Sequence, residues 1–371
     1  MTRAYKVSAA ILIVIVVLVL SVGIVLSRNA PCGASPPLSG QGPLMKAVVY
    51  RCYGPAAEVL KLENVRKPTV ADDEVLVRVH AASVNPLDWH YMRGTPYVMR
   101  LDAGLGAPED PRIGVDFAGT VEAVGKDVKR FRPGDEVFGG KDGAFAEYVA
   151  VGESRAIALK PANINFEQAA AVPIAAITAL QGLRDKGRIQ PGQKVLINGA
   201  SGGVGTFAVQ IAKSLGAEVT GVCSTKNVEL VRSLGADHVV DYTREDFTRG
   251  GQQYDLIFDT VGNRSALENR RALKPNGTYI GIGGGEPSDQ GFLGTLSGAL
   301  EELALSKVVS QKLMFFLADI NQKDLAVLAD LMRAGKVTPV IDRRYKLSET
   351  PAAVAYLEAG HARGKVVIAI D

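Results

Sequence analysis

The chain has 371 residues, with 42 basic and 39 acidic side chains and a formal net charge of +3. This length is enough for two globular domains. The near balance of charge, with no run of lysine or arginine, argues against a nucleic-acid-binding surface. Three cysteines and four histidines are scattered and form no CxxC or Cys-plus-His cluster. The sequence therefore predicts no structural zinc site of the usual spacing.

The N-terminal segment is the first predicted element. Residues Val7 to Leu26 carry no charge and are almost wholly Val, Ile, Leu and Ala. A helix of about 20 residues reaches about 30 Å, which is enough to cross a bilayer. We therefore predict a single-span membrane anchor over residues 1–28, with lipid as its partner. A cleaved signal peptide is the alternative, although the residues that follow the apolar run form a poor cleavage site.

A linker and a β-rich unit follow the predicted anchor. Residues 29–44 are rich in Pro, Gly and Ser, which predicts an extended, unpacked linker. The globular part then begins near Met45. Short runs that alternate apolar and polar residues, such as Lys46–Tyr50 and Glu74–Ala81, are separated by turn residues. This pattern predicts a small all-β barrel over residues 45–165.

Two stretches of this β unit carry candidate chemical groups. Asn85 and Asp88 lie in a polar run just after an apolar strand, and Asp116 lies between Val115 and Phe117. A carboxylate is costly to bury unless it pairs with a cation or a hydroxyl. Each aspartate is therefore either a hydrogen-bonded structural residue or part of a site, and the sequence leaves both interpretations open.

A strand, a glycine-rich turn and a helix follow one another in Lys194–Lys213 (KVLINGASGGVGTFAVQIAK). Gly199, Gly202 and Gly205 let the backbone turn tightly and approach a ligand closely. The helix start then offers unpaired N–H groups and a partial positive charge to a phosphate. The glycine spacing is a relative of the usual dinucleotide fingerprint. It predicts a phosphate site, with close backbone packing as the alternative.

Strands and helices alternate from this turn onwards. Further strands are predicted at Val219–Cys223, His238–Asp241, Leu256–Asp259, Gly277–Ile282 and Lys312–Leu317. Such alternation implies a doubly wound parallel sheet that binds ligands at the carboxyl ends of its strands. We therefore predict an α/β, Rossmann-type nucleotide domain over residues 166–335. Residues 336–371 end in a closing strand, Lys365–Ile370, which we expect to return to the first domain.

The end of the second strand distinguishes two nicotinamide cofactors. NAD sites usually place an acid about 20 residues past the glycine turn. This chain has Ser224, Thr225 and Lys226 there. A cation attracts the 2′-phosphate of NADPH, whereas a carboxylate would repel it. These residues predict NADPH, with Lys226 as a merely solvated residue at a helix start as the alternative.

From Met45 to Asp371 the chain resembles the medium-chain dehydrogenase/reductase superfamily, and within it the quinone oxidoreductase (zeta-crystallin-like) branch. The segment Gly192–Lys213 fits the signature of that branch. The resemblance implies a GroES-like catalytic domain split around the nucleotide domain. It implies cofactor contacts at Ser201, Gly202, Gly203, Val204, Ser224, Lys226 and Tyr242, and places Thr178, Val261 and Gly283 near the nicotinamide.

The resemblance also bears on metals. The zinc-dependent alcohol dehydrogenases of the superfamily place Cys where this chain has Asn85, and Gly-His-Glu where it has Val115–Phe117. The cysteine-rich structural zinc loop is missing too. We therefore expect no zinc. The stretch that contains Asn85, Asp88, Arg93 and Tyr97 instead resembles that of zinc-free quinone and enone reductases.

These observations predict an NADPH-dependent oxidoreductase that transfers hydride to a quinone or an α,β-unsaturated carbonyl. Such acceptors are already electrophilic, so the protein needs only to position them in a dry pocket. We expect Asn85, Asp88 and Tyr97 to be catalytic. Asn85 would donate to the developing oxyanion, and Tyr97, Tyr91 or water would supply the proton.

Three alternatives stay open: an alcohol or aldehyde oxidoreductase of the same superfamily, a non-catalytic membrane-tethered NADPH-binding protein, and a lipid-interacting protein with a vestigial site. Location is open as well. The positive charge before the apolar run favours an exported domain, whereas the supply of NADPH favours the cytoplasm. Relatives are often dimers, so a homodimer is an expectation. Residues 287–309 break the pattern and are predicted to shape a pocket, a subunit contact or a membrane-facing patch.

Overall fold

The computed structural model describes residues 21–33, 42–282 and 310–370. Its strands are β1 (Leu44–Val49), β2 (Lys61–Arg66), β3 (Glu74–Val84), β4 (Asp116–Val124), β5 (Glu136–Gly140), β6 (Tyr148–Gly152), β7 (Ile157–Leu159), β8 (Lys194–Asn198), β9 (Glu218–Cys223), β10 (His238–Asp241), β11 (Tyr254–Asp259), β12 (Leu273–Ile282), β13 (Lys312–Phe316), β14 (Ile341–Lys346) and β15 (Lys365–Ala369). Its α-helices after residue 42 are α1 (Ala56–Val59), α2 (Pro86–Arg93), α3 (Arg100–Ala103), α4 (Phe166–Ala170), α5 (Pro173–Leu180), α6 (Gly203–Ser214), α7 (Val228–Ser233), α8 (Ala266–Arg271), α9 (Gln322–Arg333) and α10 (Thr350–Glu358).

The second half of the chain forms a six-stranded parallel sheet in the order β10-β9-β8-β11-β12-β13. This is the doubly wound order in which ligands bind where the strand order reverses. Its central strand β8 is buried, with Val195, Leu196 and Ile197 fully inaccessible to solvent, as expected for a parallel strand covered on both faces. The predicted Rossmann-type α/β fold is confirmed.

The first half of the chain and its last two strands form a seven-stranded sheet in the order β14-β15-β3-β4-β5-β7, with β6 also paired to β3. β1 and β2 form a separate antiparallel pair. The closing strand β15 pairs antiparallel with β3, which places Val366 opposite Val84. The last residues of the chain therefore complete the sheet that the first residues begin. The expected return of the closing strand is observed, and residue Lys365 is brought next to the end of β3.

The long helix that the apolar run 166–183 suggests is divided in the structure. Helix α4 ends at Ala170, and α5 begins at Pro173 and continues into a wider helical turn, Gln181–Lys186. Proline lacks a backbone N–H and suits the first position of a helix, so Pro173 starts a new helix rather than lying inside one. The stretch 166–183 therefore contains two helices rather than one.

The expectation of an unpacked linker was also wrong for the part that is described. Within the predicted linker, the Ala30 N–H donates to the Gly106 carbonyl at 2.8 Å. Just before it, Arg100 Nη1 donates to the carbonyls of Leu26 and Arg28 at 2.9 and 3.1 Å. A disulfide joins Cys32 to Cys52. No local pattern indicates this pair, because the fold brings together cysteines that lie on a linker and on a loop. Residues 34–41 lie outside the described part.

The predicted membrane anchor falls mostly on residues 1–20, which lie outside the described residues. Residues 21–27 are helical. In the part of the chain that the structure covers, every helix is too short or too polar to span a membrane, so the predicted transmembrane helix is not supported. The stretch 287–309 also lies outside the described residues.

Candidate functional site

The glycine turn between β8 and α6 has the backbone geometry of an anion site. Gly199 adopts a φ of +80°, which favours glycine. A Cβ on Gly205 would lie 2.0 Å from the Gly199 carbonyl oxygen, so only glycine allows the turn to close. Gly202 is the N-cap residue of α6, and because glycine has no side chain, no side chain caps the start of this helix. The first N–H groups of α6 are thus available to a phosphate.

Asn227 links two of the predicted cofactor residues. Its Nδ2 donates to Ser201 Oγ at 2.9 Å and to Ser224 Oγ at 3.3 Å. Its Oδ1 is buried and has no hydrogen-bond partner in the protein. A buried acceptor without a partner costs roughly 1–3 kcal/mol, and a ligand hydroxyl is the kind of group that would satisfy it. Asn227 was not among the predicted contacts, yet the structure places it between Ser201 and Ser224, which follow strands β8 and β9.

Lys226 and Tyr242 lie at the same edge of the sheet, both exposed. The Tyr242 N–H donates to the Cys223 carbonyl at 3.0 Å, which brings the ends of β9 and β10 together. One acid lies nearby. Asp241 accepts from Thr225 Oγ1 and Thr243 Oγ1, and the Thr225 hydroxyl bond is the main cause that lowers its pKa. This carboxylate is thus engaged by hydroxyls rather than presented as a ribose acceptor.

The loop after β11 is held against the glycine turn by Asp259. Its Oδ1 accepts from Asn198 Nδ2 and from the N–H groups of Val261 and Gly262, each at 2.9 Å. Val261 remains partly exposed beside Gly199. Thr178 is nearly buried in α5, and its hydroxyl donates to the Ile174 carbonyl at 2.7 Å. Gly283 lies outside the described residues.

Asn85 is the centre of the candidate catalytic site, at the start of α2. Its backbone N–H donates to Asp88 Oδ2 at 2.7 Å, which closes a capping box at the helix start. Its Nδ2 donates to Asp116 Oδ2 at 2.9 Å and to the Ser83 carbonyl at 3.3 Å. Its Oδ1 accepts from Lys365 Nζ. The structure therefore brings the predicted residues Asn85 and Asp88 together with Asp116.

Lys365 is the residue that the sequence interpretation missed. It is 3% exposed, at the first position of β15, and its Nζ lies 3.6 Å from Asp116 Oδ2. Asp116 is fully buried and also accepts from Ser83 Oγ and from the Ile174 N–H at the start of α5, both at 3.0 Å. A lysine that opens an otherwise apolar closing strand was the available signal.

Burial controls the ionisation of these groups. Loss of solvation raises the pKa of Asp88 to about 8, against an opposing hydrogen bond from the Asn85 N–H. Burial likewise raises the pKa of Asp116 and lowers the pKa of Lys365, and the attraction between the two charges opposes both shifts. At neutral pH the site therefore holds a protonated Asp88 beside the Asp116–Lys365 pair.

The residues around Asn85 do not suit a catalytic metal. Asn85 and Asp116 have protein partners, and the Lys365 ammonium stands against both, where a metal ion would meet a like charge at short range. Across the ranges 21–33, 42–282 and 310–370, the His, Cys, Asp and Glu side chains form no group of three or more that could hold a metal ion.

A cavity of about 240 Å³ opens beside Asp88. Its lining includes Tyr50, Asp88, Tyr91, Asp102, Glu109 and Asp142. Tyr91, one of the two predicted tyrosine donors, therefore faces the same space as Asp88. Tyr97 is not among the lining residues, and the Arg100 guanidinium lies 4.8 Å from its ring centroid. The catalytic role of Tyr97 stays a prediction, and the geometry favours Tyr91.

A split β-domain around a doubly wound sheet, with an anion-binding glycine turn beside a buried polar network, defines a two-domain nicotinamide-dependent oxidoreductase. Two family models match the chain: "Alcohol dehydrogenase GroES-like domain" over residues 71–161 and "Zinc-binding dehydrogenase" over residues 234–368. The chain belongs to the medium-chain dehydrogenase/reductase superfamily, among its quinone and enone oxidoreductases.

Three relatives illustrate the match. The mitochondrial NAD(P)H oxidoreductase RTN4IP1 of Mus musculus is 37% identical over 361 residues, which cover 89% of this chain and 90% of the relative. The 2-methylene-furan-3-one reductase of Solanum lycopersicum is 36% identical over 339 residues, which cover 87% and 79%. The solved quinone oxidoreductase of Coxiella burnetii is 32% identical, with a TM-score of 0.77, and covers 89% of this chain and 100% of its own.

The raised pKa of Asp88 predicts a pH dependence of stability. Between pH 4 and about 8, folded Asp88 holds a proton that the unfolded chain has lost, so the free energy of unfolding falls as the pH rises. Relative to Asp88→Asn, the wild type should lose roughly 1 kcal/mol per pH unit in this range. Urea unfolding at pH 5, 6, 7 and 8 measures the difference. Asp102→Asn, at the exposed side of the same cavity, should follow the wild type. A constant offset between Asp88→Asn and wild type would show that Asp88 is ionised.

Proposed function

We propose that the chain is an NADPH-dependent oxidoreductase that transfers hydride to a quinone or an α,β-unsaturated carbonyl without a catalytic metal. One observation carries the proposal. The Lys365 side chain contacts Asn85 and also lies close to the glycine turn. Its Cδ is so near to Gly203 that a Cβ added to this glycine would lie only 3.3 Å away. The anion-binding turn and the buried polar network are thus neighbours, as hydride transfer requires.

Relatives support the acceptor class. Besides the proteins compared above, an NADPH-dependent alkenal/one oxidoreductase of Arabidopsis thaliana is 36% identical over 339 residues, and a quinone oxidoreductase of Triphysaria versicolor is 34% identical over 344 residues. Both acceptor types named there are conjugated carbonyl compounds. They take up hydride without a Lewis acid when the oxyanion that forms finds hydrogen-bond donors.

The cofactor residues fit NADPH. The glycine turn and the start of α6 would hold the pyrophosphate, and Ser224, Lys226 and Tyr242 would hold the 2′-phosphate. Bound NADPH supplies the hydride. The orphaned Oδ1 of Asn227 provides an acceptor for a ligand hydroxyl at the same edge.

Asp88 is the proton source that the geometry favours. It lines the cavity and is protonated at neutral pH. One of its oxygens accepts from the Asn85 N–H, which leaves the other for the proton. When hydride enters an enone at its β-carbon, the charge moves to the carbonyl oxygen. Asp88, with Tyr91 beside it, would donate to that oxygen and later regain a proton from water.

We propose for Asn85 a role other than the direct donation to the oxyanion that the sequence suggested. Its two amide hydrogens are directed at Asp116 and at the Ser83 carbonyl, so a donor role toward the oxyanion requires the longer bond to Ser83 to open. We assign Asn85 the positioning of Asp88, through the capping box at the start of α2, and of Lys365.

Two considerations bear on the cellular location of the protein, and they favour different compartments. The Cys32–Cys52 disulfide is typical of oxidising compartments, whereas NADPH supply favours the cytoplasm. The relatives named above include mitochondrial and chloroplastic proteins. The cytoplasmic side remains our proposal, with the disulfide as the observation against it, and a homodimer remains a proposal as well.

Oxidation of NADPH by the purified full chain tests the proposed function. A neutral benzoquinone and a neutral enone should be reduced, and a saturated aldehyde should not. Because Asp102, Glu109 and Asp142 line the cavity, an enone that carries a carboxylate should react about tenfold more slowly than its methyl ester, which corresponds to about 1.4 kcal/mol of repulsion. Tight NADPH binding without oxidation by any acceptor would favour a non-catalytic binding protein instead.

Substitution of Lys226 tests the choice of cofactor. A charge-assisted hydrogen bond contributes roughly 1.5–3 kcal/mol, so Lys226→Ala should raise the Kd for NADPH by about tenfold or more and leave the Kd for NADH unchanged. Titration of the cofactor's fluorescence measures both constants. Arg232→Ala, which removes an exposed cation from the next helix, should change neither. Equal effects of Lys226→Ala on the two cofactors would contradict a 2′-phosphate contact.

A further inference from the structure

An exposed apolar surface lies beside the cavity. It consists of two segments that hydrogen bonds join: residues 21–27, whose chain continues to Ala30, and the stretch around α3 that ends at Gly106. We call it the apolar surface, and its members are Val22, Ile24, Val25, Val98, Leu101 and Leu105, of which Ile24, Leu101 and Leu105 are 57, 68 and 61% exposed. Several large aliphatic side chains are thus presented to solvent together, and a grouping of this kind marks an interaction site more often than chance exposure.

The two segments are held together by a buried arginine. Arg100 is 2% exposed, and its guanidinium lies 4.3 Å from the ring centroid of Tyr53. It donates to the carbonyls of Gly94, Leu26 and Arg28. Leu26 itself is buried against the domain. Because a buried charge with these bonds resists displacement, the apolar surface is a built feature of the domain.

The Cys32–Cys52 disulfide adds a covalent restraint to the same junction. Cys32 lies five residues after the segment 21–27 in the chain. Tyr53, next to Cys52, donates its hydroxyl to the Gly104 carbonyl at 2.7 Å. The N-terminal segment is therefore fixed to the loop that carries α3, the helix to which Leu101 belongs.

We propose that the apolar surface rests on a phospholipid bilayer. The chain that leads into it has no charged residue from Val7 to Leu26, so the surface is continuous in sequence with a segment that prefers an apolar environment. A contact of this kind lies along the membrane and needs no spanning helix. Arg28, exposed at the border of the surface, suits a lipid phosphate, since basic side chains bind at that depth.

This contact would determine how acceptors reach the site, an extension that rests on the proposed function. Leu101 belongs to α3, whose residues Asp102 and Ala103 line the cavity. The same short helix thus presents one side to the cavity and another to the bilayer. Acceptors dissolved in the bilayer, such as quinones or enones with long alkyl chains, would enter the cavity without crossing water.

Tryptophan fluorescence tests the contact without any turnover. The chain has one tryptophan, Trp89, which is 5% exposed and serves as an internal reference. Full-length Leu101→Trp is mixed with phosphatidylcholine vesicles whose acyl chains are brominated or not, and vesicle-bound protein is recovered by flotation. We expect brominated lipid to quench the added tryptophan. Leu317→Trp, at an exposed leucine of the nucleotide domain, should keep its fluorescence.

Every other outcome overturns the proposal. If vesicle-bound Leu101→Trp is not quenched, the surface faces water or protein. If Leu317→Trp is quenched as strongly, insertion is unspecific. If the protein does not float with vesicles, or if Leu101→Trp forms a concentration-dependent dimer that hides the added tryptophan, the occupant is not lipid.

A rate comparison tests the consequence for acceptors. Leu101→Asp with Leu105→Asp should lower the rate on a long-chain quinone held in vesicles by about tenfold and leave the rate on a short, water-soluble quinone unchanged, since the two substitutions replace apolar side chains at the bilayer contact by charged ones. Leu317→Asp is the matched control. Equal rates on the long-chain quinone would contradict delivery from the bilayer. If no quinone is reduced even by the wild type, the proposed function fails, while the fluorescence result still decides the membrane contact.

Discussion

The buried ammonium of Lys365 is the interaction on which the rest of the site depends. It lies on the closing strand, yet it contacts Asn85 at the end of β3 and Asp116 at the start of β4. Asp116 in turn accepts from the start of α5, in the nucleotide domain. The Lys365 ammonium therefore connects the closing strand with the end of β3 and with β4, and Asp116 extends the connection to helix α5 of the nucleotide domain.

Burial makes this connection demanding. An ammonium and a carboxylate taken out of water cost several kcal/mol each, which their attraction recovers only with good geometry and further hydrogen bonds. Ser83, Asn85 and the Ile174 N–H supply those bonds. Burial raises the pKa of Asp88, next to Asn85, to about 8, against the opposing effects of the Asn85 N–H and of Lys365. A site that holds a proton at neutral pH and a cation beside the cofactor turn can assist hydride transfer without a metal.

The sequence predicted the nucleotide domain well, because glycine spacing and strand–helix alternation are local patterns. The turn at Gly199–Gly205 and all six parallel strands lie where the pattern placed them. The sequence could not predict which polar side chains would come into contact in the folded protein. Lys365 and Asn85 are 280 positions apart, so a lysine at the start of an apolar strand indicates burial but not the residue that it will contact. Asn85 and Asp88 were found because they follow an apolar strand in one short run.

The errors have the same origin. The Pro- and Gly-rich stretch before the domain looked unpacked, since its partners Gly106 and Cys52 are distant in sequence. Tyr97 and Tyr91 were equivalent in the sequence because both lie near Asp88. Only the path of the chain through α2 and the turn that follows separates Tyr91, which faces the cavity, from Tyr97, which lies beside Arg100.

The transfer of deuterium to a neutral enone from NADPH that carries deuterium at both C4 positions, in a single turnover with the full chain, measures the central claim most directly. The account predicts that the label appears at the β-carbon of the reduced product, that this step is slower with deuterium than with hydrogen, and that Lys365→Met slows it further while the cofactor still binds. Retention of the label on the cofactor, or a transfer rate in Lys365→Met equal to that of the wild type, would contradict it.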